Sequence, residues 1–135
     1  MAASVLVDAG FIVALLSRRD SHHGWAAATA ERFPPPWVTC ESALSEAFHL
    51  LGANAAALRA LLRRRAAAAP FDLDDHLETV LKFMQKYHDV PASLADASIV
   101  RMTEMLAEPM LLTTDTDFRI YRRHGRQAIP CVLPT

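Results

Sequence analysis

Short, continuously apolar runs alternate with helical patterns along this chain, and that alternation leaves few architectures open. Ser4-Val5-Leu6-Val7 and Met110-Leu111-Leu112-Thr113 are too short for helices and too uniformly apolar for strands with one wet face. Trp37-Val38-Thr39 is a third extended piece, Pro70-Phe71-Asp72-Leu73 a fourth, and a last strand is expected around Ile129 to Leu133. Phe11, Ile12, Leu15 and Leu16 share a helical stripe that runs to Arg18-Arg19, a charge suited to a helix C-terminus. Asp20 or Ser21 is placed to cap a second helix through Trp25 to Phe33, which Pro34-Pro35-Pro36 stops. Further helices are expected from Ser42 to Leu51, from an Asn54 cap to about Ala68, from Leu77 to Tyr87, and from Ser93 to Leu106. A short one follows from Asp117 to Arg123. Strands buried on both faces between helices imply an α/β domain with a mainly parallel sheet.

The length of 135 residues suits one domain, residues 1–135, with a single sizeable core. With 52% apolar and 21% charged residues the chain is globular rather than disordered. A net charge of −1 supplies no global field for a polyanion, so nucleic-acid binding would need local basic patches. Cys40 and Cys131 form no paired motif and read as reduced thiols of a cytoplasmic protein. Asp8 interrupts the first apolar stretch, which also lacks the basic start of a secretory signal. No apolar stretch approaches the roughly 20 residues of a membrane span.

Against that background the acids stand out. Asp8 closes the first strand, and Asp115 follows the apolar run 110–112 with Asp117 two residues on. Ligands of a parallel α/β sheet collect outside the carboxyl ends of its strands. Glu46 has Ala43 and Leu50 as its helical neighbours, and Asp96 has Ile99 and Val100, so both acids are expected on inward faces. Two carboxylates about 6 Å apart repel by roughly 3 kcal/mol at an effective dielectric of 20. Acids gathered in one pocket therefore hold protons or share a cation, and hard oxygen ligands select Mg²⁺ or Mn²⁺. Singly, each acid has a plainer explanation: Asp8 as a helix cap, Asp115 and Asp117 as turn residues, Glu46 or Asp96 as partner to an arginine such as Arg101.

Four stretches carry a family resemblance: Val5-Leu-Val-Asp-Ala-Gly-Phe-Ile-Val-Ala-Leu-Leu, Thr39-Cys-Glu-Ser-Ala-Leu-Ser-Glu-Ala-Phe-His-Leu-Leu, Leu94-Ala-Asp-Ala-Ser-Ile-Val, and Leu112-Thr-Thr-Asp-Thr-Asp-Phe-Arg-Ile-Tyr-Arg. In this order and spacing they resemble the PIN domain, and more narrowly the VapC-type toxins of toxin–antitoxin pairs. The resemblance implies a three-layer α/β/α fold and a Mg²⁺- or Mn²⁺-dependent endoribonuclease. By position it makes Asp8, Glu46, Asp96 and Asp115 the metal-holding acids, with Asp117 sharing the last acidic position. An RNA substrate, a cognate antitoxin and a homodimer come with it. One departure is that Ala9 and Gly10 stand where many relatives carry a hydroxyl or amide residue shortly after the first aspartate.

The six histidines show no zinc-ligand spacing, and the glycines form no phosphate-cradling loop. Arg119, Arg122 and Arg123, close after the last acids, are expected to grip RNA phosphates. The competing reading keeps the fold but not the chemistry: a non-catalytic module that binds RNA or protein without cutting it.

Overall fold

The computed structural model describes residues 4–135; the first three residues of the expected single domain lie outside the described residues. Strand β1 (Ser4–Val7) is central, flanked by β2 (Trp37–Val38) and β4 (Pro109–Leu112), with β3 (Ala67–Ala68) and β7 (Cys131–Val132) at the edges. The order is β3-β2-β1-β4-β7 and every pairing is parallel, the β1–β4 register running from Ser4↔Pro109 to Val7↔Leu112. A separate antiparallel hairpin pairs β5 (Arg122–Arg123) with β6 (Gln127–Ala128).

The period-2 geometry of strands explains the uniform apolarity of β1 and β4. Leu6 and Leu111 enter one core with Val80, Ile99, Val100, Phe118 and Tyr121, while Val7 and Leu112 enter the other with Phe11, Trp37, Leu58 and Leu61. Helices α5 (Leu77–Lys86) and α6 (Leu94–Glu104) cover the first face. Helices α1 (Ala9–Leu16), α2 (His23–Arg32) and α4 (Ala56–Arg63) cover the second. Helix α3 (Glu41–Leu51) reaches both, through Ala43 on one side and Ala47 and Leu51 on the other. The result is the expected three-layer α/β/α arrangement.

Local details depart from the sequence reading. Helix α4 stops at Arg63 rather than near Ala68, because Arg65 turns left-handed (φ 62°) and Ala67 and Ala68 pair with Trp37 and Val38. Tertiary pairing overrides alanine's helix propensity there. Asn54 is not the cap of α4; Ala55 precedes it without a side-chain bond. The strand expected at residues 70–73 gives way to a 3₁₀ turn, Leu73–His76, with Asp72 accepting from the Asp74 N–H. The helix expected from Asp117 to Arg123 is a 3₁₀ turn, Thr116–Arg119, followed by β5.

Candidate active site

Because β1 and β4 are parallel and in register, Asp8 and Asp115 leave the sheet at the same edge. They line one cleft of about 310 Å³ together with Glu46, Asp96, Gly10, Ser93 and Thr114. Four separate elements thus deliver four carboxylates to one place. Asp117 is not among the residues that line this cleft. Its backbone N–H donates to Asp115 Oδ1 (2.9 Å) and so holds the acid that does line the cleft.

Each acid is held in its own way. Asp8 is the N-cap of α1, its Oδ1 accepting from the Phe11 N–H at 2.9 Å, while the Thr113 hydroxyl donates to Oδ2. Thr113 Oγ1 in turn accepts from the Asp115 N–H (3.0 Å), so one threonine ties the two strand-end acids together. Asp96 sits at the third position of α6 in a reciprocal cap: Ser93 Oγ accepts from the Asp96 N–H, and Asp96 Oδ2 accepts from the Ser93 N–H. Glu46 is exposed, and its helical neighbour Leu50 is 57% exposed, so the expected inward face is wrong for this residue. Helix α3 buries Ala43, Ala47 and Leu51 and presents Glu46 at the mouth of the cleft.

The electrostatics are those of an uncompensated acidic pocket. Burial pushes the Asp8 carboxyl up to about 6, against the pull of the Thr113 hydroxyl and the Phe11 N–H, and the charges of Asp96 and Asp115 add to the rise. Burial likewise raises Asp96, helped by Asp115 and Glu46 and opposed by the Ser93 bonds. The ion pairs among the described residues, His88–Asp89 and Arg101–Glu104, involve none of these acids. Arg101 is therefore not the partner that would have explained Asp96 or Glu46 in plainer terms.

Among the described residues no three histidine, cysteine or carboxylate side chains stand close enough to grip one ion on their own. The arrangement among the described residues is open rather than a closed, all-protein cage. It fits a hard ion of the Mg²⁺ kind, which keeps several waters and takes only one or two carboxylates plus substrate oxygens. A buried, charge-crowded carboxylate with no protein cation beside it favours the same group.

Several residues that shape the site escaped the sequence reading. The Ser93-x-x-Asp96 spacing was its own signal for a helix start. Thr113 gave none, since its hydroxyl meets Asp8 only through the strand pairing. Thr114 answers the question left by Gly10: its hydroxyl lies directly over the Gly10 Cα, where a Cβ would collide with it. A hydroxyl thus reaches the cleft from the loop after β4 rather than from α1. Gly10→Ser is expected to cost about 1–3 kcal/mol by overpacking, read by denaturant unfolding, and Thr114→Ala in the same chain to recover most of it. Tyr121 is fully buried and its hydroxyl donates to the Pro91 carbonyl (3.4 Å), bracing the loop that leads into α6. Burial and the charges of Asp96, Asp117 and Asp115 hold its phenol far above the ordinary value, so it stays neutral.

The expected basic grip is only partly in place. Arg123 is buried, its Nη2 donating to the carbonyls of Thr103 in the last turn of α6 and of Leu106 just past it, so its guanidinium faces the interior rather than a surface where RNA could lie. Arg122 directs Nη1 at the carbonyls of Arg119, Ile120 and Tyr121. Arg119 is exposed. Glu41 lies outside the acidic cleft, in a larger cavity of about 480 Å³ lined by Cys40, Phe71, Asp72 and Leu94.

Fold and acidic cleft together define an α/β domain with the site at the carboxyl edge of its parallel strands. The model of the PIN domain family matches residues 5–123, and the chain belongs to that family. Among solved structures it is similar to the crystal structure of Mycobacterium tuberculosis VapC20, described as a sarcin-ricin loop cleaving toxin. The likeness has a TM-score of 0.76 at 22% identity and covers 84% of this chain and 92% of that one. At that identity it establishes the fold. No curated protein matches the chain by sequence.

Proposed function

We propose that the chain is a divalent-metal-dependent endoribonuclease of the VapC type, a toxin that hydrolyses RNA phosphodiester bonds and is neutralised by a cognate antitoxin. The observation that carries this reading is the convergence of Asp8, Glu46, Asp96 and Asp115, from four elements, on one cleft without a protein cation. Those four residues would surround the ion, Mg²⁺ or Mn²⁺, one or two of them binding it directly and the others through its waters. When bound, such an ion supplies Lewis-acid stabilisation for in-line attack of water on the phosphodiester. Asp8, fixed by two hydrogen bonds and buried, provides a rigid anchor at the floor. Asp96 and Asp115, which line the cleft, are pinned through one oxygen each, and the other oxygen is free of side-chain and backbone partners among the described residues. Glu46, exposed at the mouth, is free to orient a water. The Thr114 hydroxyl is the neutral donor in a pocket of acceptors, suited to a phosphate oxygen.

VapC20 is described as cleaving the sarcin-ricin loop, and a loop-presenting RNA is accordingly the substrate class we assign here. A homodimer acting in the cytoplasm belongs to the same reading. Among the described residues no helix is long and apolar enough to cross a membrane.

The test is direct. Purified chain incubated with structured RNA is expected to cut it with Mg²⁺ or Mn²⁺ present, to stop on addition of a chelator, and to resume when excess Mg²⁺ is restored. RNA left intact under every metal condition would replace this reading with a non-catalytic binding module.

A further inference from the structure

A cleft of carboxylates repels the polyanion it is proposed to cut, and the chain as a whole carries a net charge of −1. With Arg123 buried, the phosphates flanking the scissile bond need further counter-charge. The structure assembles one from residues that are far apart in sequence. Lys82, Lys86, Arg101 and Arg122 line a pocket of about 190 Å³ between α5, α6 and β5, with Glu104 as the one carboxylate. Lys82 and Lys86 are the chain's two lysines, and their i,i+4 spacing puts both on one exposed face of α5.

Glu104 is already engaged. It accepts from Arg101 Nη1 (3.3 Å) and from the His124 N–H (2.6 Å), and Arg101 Nε donates to His76 Nδ1 (3.1 Å). Lys86 Nζ reaches the Gly125 carbonyl at 3.3 Å. Four formal cations against one spent carboxylate leave a surplus that repels itself until an anion arrives. Ala97, Arg101 and Glu104 line this pocket while Ala95, Asp96 and Ile99 line the acidic cleft, so the two sites lie on different sides of the same helix, α6. A helix with its side chains is roughly 10–12 Å across. A nucleic-acid strand that enters the cleft can therefore cross α6 and lay its next phosphates on α5.

We propose that Lys82, Lys86, Arg101 and Arg122 form a phosphate-binding exosite that holds the RNA backbone beside the acidic cleft. The identity of the polyanion rests on the ribonuclease reading; the site itself does not. Lysine ammonium groups act there as sequence-blind point charges, so the exosite contributes affinity and position rather than choice of base.

The experiment separates the two. In the Asp96→Asn chain with chelator present, conditions expected to leave RNA intact, fluorescence anisotropy follows binding of a labelled RNA hairpin with single-stranded flanks across a salt series. Lys82→Glu/Lys86→Glu is expected to weaken binding at least about tenfold and to make the salt dependence shallower by roughly 1–2 in slope. Arg63→Glu/Arg64→Glu makes the same change in net charge on exposed residues at the end of α4, which packs on the opposite face of the sheet. It is expected to leave affinity and slope close to the parent. Unchanged binding in the lysine variant, or an equal loss in the α4 variant, overturns the exosite. A wild-type chain that binds the hairpin through these lysines but never cuts it removes the ribonuclease reading and keeps this one.

Discussion

Asp96→Asn is expected to reduce metal-dependent RNA cleavage at least tenfold, and by on the order of a hundredfold if the carboxylate holds the ion directly. The substitution is informative because it spares the fold. Asparagine can still accept from the Ser93 N–H, and the Ser93 hydroxyl still accepts from the residue 96 N–H. What is lost is one negative charge in the first turn of α6, worth about 0.3–1 kcal/mol with the helix dipole. Relief of the repulsion from Asp115 and Glu46 works in the opposite direction. Unfolding midpoints of parent and variant should therefore nearly coincide while cleavage rates diverge. Cleavage that survives the change would remove Asp96 from the site even with the ribonuclease reading intact.

The acids were legible in the sequence for a simple reason. A carboxylate at the end of an apolar strand or within an apolar helical stripe is costly, and costly placements call for an explanation. The strand ends at Asp8 and Asp115 needed only the rule that ligands gather at the carboxyl edge of parallel strands. Glu46 lines the acidic cleft although its face is not the inward one that helical spacing implies, because its neighbour Leu50 is exposed. Choosing between Asp115 and Asp117 was beyond the sequence, because both sit in a turn whose geometry is set by the Asp115 side chain capping the Asp117 N–H.

What could not be read were contacts between partners remote in the chain. Thr113 with Asp8, and Thr114 over Gly10, exist only because β1 and β4 lie side by side. The Arg119 to Arg123 cluster misled for the opposite reason, since closeness in sequence to Asp115 says little about direction. β5 turns Arg123 inward onto the carbonyls of Thr103 and Leu106, while the separate lysines of α5 meet Arg101 across a helix pair. The short β3 strand was hidden because two alanines carry no strand signal and pair only when β2 offers an edge.

Asp8→Asn should make the metal-free protein more stable near neutral pH, by about 1–3 kcal/mol, while abolishing cleavage. The carboxyl rises from 3.8 to about 6 on folding, chiefly through burial. Between those values the folded chain binds the extra proton, so stability falls as pH increases through the window. Below the lower value the penalty is absent, and above about pH 6 it is fully present. Roughly two pKa units correspond to at most about 3 kcal/mol. Asparagine carries no charge to desolvate and can still accept from the Phe11 N–H. Its amide then faces Thr113 Oγ1, which already accepts from the Asp115 N–H, and the threonine proton must turn elsewhere. That rearrangement returns part of the gain. Urea unfolding of both chains in chelator, from pH 4 to 8, reads the difference: the two curves should converge at the acid end and separate with the variant above. Adding Mg²⁺ at pH 7.5 should raise the wild-type midpoint and leave the variant's almost unmoved, because only the wild type has a buried charge for the ion to neutralise. A variant less stable at every pH would mean that the Thr113 hydroxyl and the Phe11 N–H compensate the buried carboxylate fully. In that case Asp8 would be a satisfied helix cap, with no stored cost for a metal to relieve.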